Sequence, residues 1–172
     1  MDNVTNAAPL LGGMPVTIDR LDADLLALLD AQPRIGVLEA SRRLGVARGT
    51  VQARLDRLRR AGVVAGLSPT LDPAALGFPI TAFATLEIAQ GRGHEQVVAH
   101  LTSIVEVLEA HTITGSGDLL VRVAARDNAD LQRVIDEIVD GEHVLRSSTA
   151  IALQTQIPLR RIQLVDAAVA GR

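Results

Sequence analysis

The chain has 172 residues, of which 48% are hydrophobic, and this is enough for one medium-sized domain or two small ones. It contains no cysteine, which excludes disulfides and thiol chemistry, and no apolar run reaches the roughly 18 residues that a membrane span requires. The formal net charge of −3 is unevenly distributed: residues 34–60 carry eight arginines against two acids, whereas residues 73–172 carry eight arginines against twelve acids. A basic segment attached to an acidic body is typical of a DNA-binding module joined to a second domain.

The N-terminal segment, residues 1–18, contains an adjacent pair of glycines and no apolar period, so we expect a flexible arm. It has neither the basic region nor the long apolar core of a secretion signal, which favours a cytoplasmic protein. The first helix is expected to begin at Asp22, because aspartate is a good N-cap and the flanking Leu21 and Leu26 suit a hydrophobic staple. Pro33 follows the end of this helix.

The next segment, Arg34 to Gly62, has the pattern of two helices separated by a tight turn. Gly45 marks the turn, because glycine adopts a positive φ without steric cost. Beyond the turn, apolar residues recur at i, i+4 and i+7 and define one buried helix face: Val51, Leu55 and Leu58. We predict helices at about 37–44 and 48–61, with Gly62 as a left-handed stop. Braced by the first helix, this pair has the pattern of a winged-type helix-turn-helix.

The remainder of the chain alternates apolar strands with amphipathic helices in the order βαββαβ, which is the order of the ferredoxin-like fold. The predicted strands are at 80–89, 104–113, 119–125 and 144–157, and the predicted helices are at 94–103 and from Asn128, as N-cap, to Gly141. The fold class is therefore α+β. Its expected segments are a flexible arm (1–18), a helix-turn-helix domain (19–65), a linker (66–78), a ferredoxin-like domain (79–157) and a C-terminal extension (158–172).

One face of the predicted sheet is covered by the two helices, and the other face must be covered by something else or lie unusually apolar in water. Apolar strand residues are available for that second face: Ile80, Ala82, Leu120, Val121, Ile151 and Leu153. We therefore predict that this face contacts another subunit and that the protein is at least a homodimer. The C-terminal extension, residues 158–172, is a candidate to enlarge this contact.

Candidate DNA contacts lie on and before the arginine-rich helix. Arginine to guanine and glutamine to adenine are the favoured geometries for reading bases in the major groove, and alanine suits the thymine methyl group. The base-contact candidates are Arg48, Thr50, Gln52 and Ala53, and Gly49 beside them is a further candidate for DNA contact. Four further arginines are expected to clamp phosphates: Arg42, Arg43, Arg54 and Arg57. The alternative is a solvated arginine face on an ordinary helix.

A glycine-rich turn before the third strand is the candidate ligand site: Gly115, Ser116, Gly117 and Asp118. Glycines let backbone N–H groups approach an anion, and a carboxylate can meet a ligand ammonium group. Ser148 and Thr149, on the last strand, are possible partners. The alternative is a plain hairpin turn, for which Gly-Asp is common.

No pattern of catalysis or metal binding accompanies these sites. The four histidines have neither cysteines nor clustered carboxylates beside them, and there is no nucleophile elbow or phosphate-binding loop motif. We therefore expect no metal, no cofactor and no enzymatic activity.

In order and spacing, residues 18–157 resemble the Lrp/AsnC (leucine-responsive, feast/famine) family of transcriptional regulators. The resemblance is carried by LGVARGTVQARLDRLRRAGVV, by LDPAALGF at 71–78, by the Thr114-Gly115 and Asp118-Leu119-Leu120 pieces, and by TAIAL at 149–153. Two positions depart from the family pattern: Ala47 and Gly36 stand where the family usually has polar caps.

The resemblance implies a helix-turn-helix domain followed by a RAM/ACT-like ferredoxin domain. It further implies a dimer that assembles to tetramers or octamers and binds double-stranded DNA, with no membrane partner. A small effector, usually an amino acid, would be held near Asp118. Two other functions stay open: an architectural protein that organises DNA without a ligand, and a small-molecule enzyme or carrier.

Overall fold

The computed structural model describes residues 16–66, 69–89 and 93–170, so most of the predicted N-terminal arm lies outside the described residues. The chain forms two compact units. One contains the described residues up to Pro69 together with the segment that begins at Pro158, and the other contains Thr70–Ile157. No helix in the described part of the chain is long and apolar enough to cross a membrane.

The described residues of the first unit form four helices: α1 (Arg20–Ala31), α2 (Val37–Leu44), α3 (Arg48–Arg60) and, from the C-terminal segment, α6 (Gln163–Ala170). Its core is formed by side chains from α1, α2 and α3 and from the residue two positions before α1: Ile18, Leu25, Leu26, Ala40, Val51 and Leu58. Because the apolar side of α3 is buried here, the rotation of this helix about its own axis is fixed by packing.

The turn between α2 and α3 confirms the predicted helix-turn-helix. Gly45 has φ 66°, in the left-handed region that glycine occupies without strain, and Val46 N–H donates to the Ser41 carbonyl at 3.1 Å. At the far end of α3, Gly62 has φ 72° and Val63 N–H donates to the Leu58 carbonyl at 2.9 Å. This is a Schellman cap, so the predicted left-handed stop is also confirmed.

The predicted start of α1 was wrong. The helix begins at Arg20, and its N-cap is Asp19 rather than Asp22. The Asp19 carboxylate accepts from Asp22 N–H at 2.9 Å, and the Asp22 carboxylate accepts from Asp19 N–H at 3.0 Å. Two aspartates three residues apart satisfy both backbone donors reciprocally, which a helix starting at Asp22 could not do. Leu21 therefore lies inside the first turn and does not form the expected staple before the cap.

The C-terminal segment folds back onto the helical unit. Half-buried Ile162, Val165 and Val169 pack against its core, and α6 contacts α1. Three apolar residues of the extension are thus used inside this unit, whereas Leu159 and Leu164 are exposed.

The second unit has the predicted βαββαβ order: β1 (Ile80–Ile88), α4 (Gly93–Ser103), β2 (Val107–Thr112), β3 (Leu119–Ala125), α5 (Asn128–Val139) and β4 (Val144–Ala152). The four strands form one sheet in the order β2-β3-β1-β4, and every neighbouring pair is antiparallel. The ferredoxin-like prediction and the α+β class are confirmed.

Some predicted boundaries in this unit were wrong. β4 ends at Ala152 and not at residue 157, because its neighbour β1 begins at Ile80 and offers no further backbone partner. β2 begins three residues later than expected, because Val107 N–H closes a turn onto the Ile104 carbonyl at 3.1 Å. The N-cap of α5 is Asp127, whose carboxylate accepts from Asp130 N–H at 2.8 Å, so Asn128 is the first helical residue.

The assignment of apolar residues to the open face of the sheet was also largely wrong. Ala82 and Val121 are fully buried in the core that α4 and α5 cover. Ile80 shares the face of Ala82, and Ile151 is the cross-strand partner of Ala82. Leu153 lies beyond the end of β4, which leaves Leu120 as the correctly placed member of the set. The alternation of β1, which has Thr81, Thr85 and Glu87 on the open face, does identify its buried face, whereas β3 carries apolar residues on both faces and gives no such signal.

The open face carries a mixture of small apolar, hydroxyl and charged side chains. Cross-strand pairing places Phe83 opposite Ala150 and Thr85 opposite Ser148 on this face. Arg122 lies here with Glu109, at 3.6 Å between Arg122 Nη1 and Glu109 Oε1.

Candidate nucleic-acid interface and effector loop

The solvent-facing side of α3 holds five of the predicted DNA-contact residues. Val51 and Leu58 point into the core from one side of α3, so the residues on the opposite side of the helix face outward. All five candidates are exposed: Arg48, Gly49, Thr50, Gln52 and Ala53. The first turn of α3 contains no acidic residue, so a phosphate or a base edge meets no carboxylate there.

Gln52 makes a side-chain hydrogen bond within α3, whereas Gly49 lies beside open space. The Gln52 side-chain amide donates to both carboxylate oxygens of Asp56 at 3.0 Å, one turn further along α3. This bond holds the side chain along the exposed helix surface. Apart from the adjoining residues and the backbone of α3 itself, no described atom lies within 4 Å of the position that a Cβ on Gly49 would occupy. Packing within this chain therefore does not require glycine at that position.

Arg42 and Arg43, at the end of α2, share one carboxylate. Arg43 Nε lies 3.1 Å from Glu39 Oε1, and Arg42 Nη1 lies 3.8 Å from Glu39 Oε2. All three side chains are about half exposed or more, and ion pairs in such surroundings contribute little to stability. Both guanidinium groups remain accessible to a phosphate.

Arg54 and Arg57 are placed differently from the other candidates, because α1 binds both of them. Arg54 Nη1 donates to Asp19 at 2.6 Å and to Asp22 Oδ1 at 2.9 Å. Arg57 donates to Asp22 Oδ2 and to the Thr17 carbonyl. The Asp22 side chain has no exposed surface. Two guanidinium groups predicted as phosphate clamps are thus matched by two carboxylates of the same unit.

Asp22 is held in its ionised form by this arrangement. Burial by itself raises the pKa of a carboxyl group, but hydrogen bonds from Arg57, the Asp19 N–H and Arg54 outweigh it and lower the pKa of Asp22 to about 2. The sequence analysis missed Asp19 and Asp22 as partners of α3. They lie 32 to 35 residues before Arg54 and Arg57, and no local pattern connects such distant positions.

The candidate effector residues of the second unit form a tight loop beside the end of β1. Gly115 has φ 126°, which favours glycine. A Cβ on Gly117 would lie 2.4 Å from Thr85 Cγ2 and 3.1 Å from the Leu86 carbonyl oxygen, so the loop backbone presses directly on β1.

Asp118 anchors this loop. Its N–H donates to the Leu86 carbonyl at 2.8 Å, and its Oδ2 accepts from Ile88 N–H at 2.8 Å. The backbone N–H of Ile88 follows the point where the pairing of β1 and β4 shifts register, so the carboxylate satisfies a donor at an irregular position of the sheet. Asp118 Oδ2 is therefore used to hold the loop against β1, and Oδ1 is the other oxygen of this candidate ligand residue.

The two β4 candidates lie on opposite faces of the sheet. Ser148 pairs with Thr85 on the open face, next to Gly117, whereas Thr149 pairs with Ala84 on the face of the helices. The structure thus brings Ser148 close to the glycine loop through Thr85 and separates Thr149 from it. Thr85 was missed by the sequence analysis, because a threonine within a strand gives no distinguishing signal.

A helix-turn-helix unit with a solvent-facing second helix, followed by a ferredoxin-like unit, has the architecture of a DNA-binding protein that carries a second domain. The sequence comparisons agree with this class. A family model described as winged helix-turn-helix DNA-binding matches residues 18–65, and one described as Lrp/AsnC ligand binding domain matches residues 81–162. The chain belongs to the Lrp/AsnC family of transcriptional regulators.

Several transcriptional regulators are similar to this chain over most of their own length. The transcriptional regulator FL11 of Pyrococcus horikoshii is 26% identical over 152 residues, which cover 86% of this chain and 100% of that protein. Regulatory protein AsnC of Escherichia coli is 29% identical over 141 residues, or 81% of this chain and 93% of that one. The solved structure of E. coli AsnC has a TM-score of 0.79 at 27% identity, covering 86% of this chain and 99% of that chain.

A feast or famine regulatory protein from M. tuberculosis, solved in complex with L-methionine, has a TM-score of 0.74 at 27% identity. That match covers 83% of this chain and 97% of the other. The resemblance seen in the sequence is thereby confirmed, and the protein is a transcriptional regulator with a helix-turn-helix DNA-binding domain and a ligand-binding domain.

Proposed function

We propose that this regulator reads double-stranded DNA in the major groove with the exposed side of α3. The observation that carries the proposal is the outward placement of Arg48, Thr50 and Gln52 on a helix whose opposite side is buried. Arginine and glutamine are suited to guanine and adenine, and the first turns of the second helix enter the groove in this motif. Gly49 and Ala53 leave room for the DNA to approach the helix closely.

Arg42 and Arg43 act in this proposal as phosphate contacts, which fix the orientation of the domain on the duplex. Their exposed guanidinium groups support this role. Arg54 and Arg57, on α3, are less available to phosphates, because Asp19 and Asp22 bind them.

The protein acts as a homodimer, which assembles further to a tetramer or octamer. A single recognition helix contacts only a few base pairs, whereas a dimer binds two half-sites about one helical turn apart, or a multiple of it. The open sheet face, with exposed Phe83 beside small and hydroxyl side chains, supports pairing of two ferredoxin-like domains. The domain divisions follow the predicted segments, with residues 19–65 binding DNA and residues 79–157 sensing and dimerising.

The effector is an amino acid or a closely related metabolite. The ligand-binding family match and the L-methionine complex of the M. tuberculosis relative support this class. In the proposed site, backbone N–H groups of Gly115, Ser116 and Gly117 receive the ligand carboxylate, and Asp118 receives its ammonium group. Ser148 lines the open face nearby and Thr149 is the remote candidate. The protein works in the cytoplasm as a regulator and not as an enzyme.

DNA binding is tested by selecting duplexes from a randomised pool with the wild-type protein and measuring affinity by fluorescence anisotropy. Selected duplexes are expected to contain two related half-sites, and Gln52→Ala is expected to relax base preference at one position in each. Selection of no common sequence, with uniform binding to every duplex, would instead favour an architectural protein.

Effector binding is tested by thermal shift with each of the twenty amino acids. A true effector raises the melting temperature in proportion to RT ln(1 + [L]/Kd). Asp118→Asn separates the structural role of this residue from ligand binding. The asparagine amide oxygen can still accept from Ile88 N–H, whereas the negative charge that would bind a ligand ammonium group is lost. We expect Asp118→Asn to remove the shift but keep the fold, and a retained shift would contradict the assignment of Asp118.

A further inference from the structure

We infer that Asp22, acting through Arg54 and Arg57, is a positioning residue that sets the recognition helix for base reading. This assigns the two arginines to orientation of α3, and removes them from the set of phosphate contacts. The inference deepens the proposed function and rests on DNA being read by α3.

The geometry of the cluster supports a positioning role. Every described partner of the Asp22 carboxylate comes from a helix end or from α3: Asp19 N–H at 3.0 Å, Arg54 Nη1 at 2.9 Å, and Arg57 Nη2. Arg54 and Arg57 are three residues apart on α3, so they approach α1 from consecutive points on one side of the helix. Together these bonds connect the first turn of α1 to the middle of α3.

Within the cluster, the burial of Asp22 and Arg54 distinguishes them from the other arginine pairs of the unit, whereas Asp19 and Arg57 are about as exposed as those pairs. The Asp22 side chain is 0% exposed and that of Arg54 is 26% exposed, whereas Arg42 is 69% exposed. A buried carboxylate bound by planar, forked guanidinium groups holds orientation as well as charge, which exposed pairs do not do. Releasing Arg54 toward a phosphate would leave the buried Asp22 with fewer donors.

Charge balance leads to the same conclusion. Two guanidinium groups face the carboxylates of Asp19 and Asp22, so the cluster has no excess positive charge to exchange for counterions on DNA. The salt dependence of DNA affinity counts the phosphates that cations neutralise, with a slope of about −0.9 for each. A positioning cluster contributes nothing to this slope, whereas two phosphate clamps would contribute nearly two.

The test uses the full-length protein, the tightest duplex that the wild-type protein selects from a randomised pool, and a shuffled duplex of the same length. The main variant is the charge-balanced double substitution Asp19→Asn with Arg54→Gln. Asparagine keeps the N-cap, and the net charge of the cluster is unchanged. We expect the ratio of specific to shuffled affinity to fall about tenfold, in the range of one lost base contact. The slope of log affinity against log salt is expected to stay at the wild-type value.

Arg43→Gln is the matched control, because Arg43 is exposed and placed as a phosphate contact. It should reduce the slope by about 0.9 and leave the specificity ratio unchanged. Asp22→Asn should reproduce the loss of specificity seen in the double variant. If Asp22→Asn does not fold, as judged by circular dichroism, the double variant alone decides.

A loss of about 0.9 in slope with an unchanged ratio for Asp19→Asn/Arg54→Gln would overturn the inference and make Arg54 a phosphate clamp. A variant that keeps both the ratio and the slope would also overturn it. Failure of the wild-type protein to select any sequence would contradict the proposed function itself, and is thereby distinguished from failure of the inference.

Discussion

Gly117 lies so close to Thr85 that a Cβ built on the glycine would be 2.4 Å from Thr85 Cγ2. Because real Cβ atoms are not found at this distance, Gly117→Ala must displace the loop or the strand. We expect a loss of stability of about 1–3 kcal/mol, measured by chemical denaturation. Thr85→Ser removes the clashing methyl group, so the double variant Gly117→Ala/Thr85→Ser should recover part of the loss. Equal stability of Gly117→Ala and wild type would contradict the close approach.

Gly49 presents the opposite case, because a Cβ there would meet open space among the described residues. Alanine also has a higher helix propensity than glycine. Gly49→Ala is therefore expected to leave the free energy of unfolding unchanged or raise it by up to about 1 kcal/mol. If DNA approaches α3 as proposed, the added methyl group should nevertheless weaken binding to the selected duplex. Unchanged affinity would show that the helix backbone at Gly49 does not lie close to the DNA.

Helix α6 packs against the helical unit, and this packing is expected to contribute to the free energy of unfolding of that unit. Val165 is half buried against the core of that unit, whereas its neighbour Leu164 is 70% exposed on the same helix. Val165→Asp introduces a charge among apolar side chains and should lower the free energy of unfolding of the unit by about 1–3 kcal/mol. Leu164→Asp is the matched control and should change it by less than about 0.5 kcal/mol. Equal effects of the two substitutions in a thermal melt would argue against this packing of α6.

The helix-turn-helix was predictable because its signals are local. The spacing of Val51, Leu55 and Leu58 defines a helix face, and Gly45 supplies the turn. The βαββαβ order was equally clear, because helix and strand periods alternate along the chain. The placement of Ser148 and Thr149 on opposite faces of the sheet could also have been predicted, since successive residues of a strand point to opposite faces.

Other features depend on choices that a local pattern does not resolve. Asp19 and Asp22 are both good N-caps, and only the reciprocal bonding of the folded helix decides between them. The faces of β3 were hidden because both sides of this strand carry apolar residues, whereas β1 alternates and its buried face could have been identified. The pairing of Asp22 with Arg54 spans 32 residues, so it became visible only when α1 and α3 were packed together.

The low pKa of Asp22 predicts how stability depends on pH. Its folded-state pKa of about 2 lies below the ordinary value of 3.8, so the ionised form is favoured by folding. The contribution is therefore fully present above about pH 4 and is lost as the pH falls toward 2. A difference of nearly two pKa units corresponds to about 2 kcal/mol.

The measurement compares wild type with Asp22→Asn, so that the titration of other carboxylates largely cancels. The free-energy difference between the two proteins should be constant from pH 5 to 7 and should shrink by about 2 kcal/mol on approach to pH 2. A difference that does not change with pH would show that the charge of Asp22 does not stabilise the contact between α1 and α3.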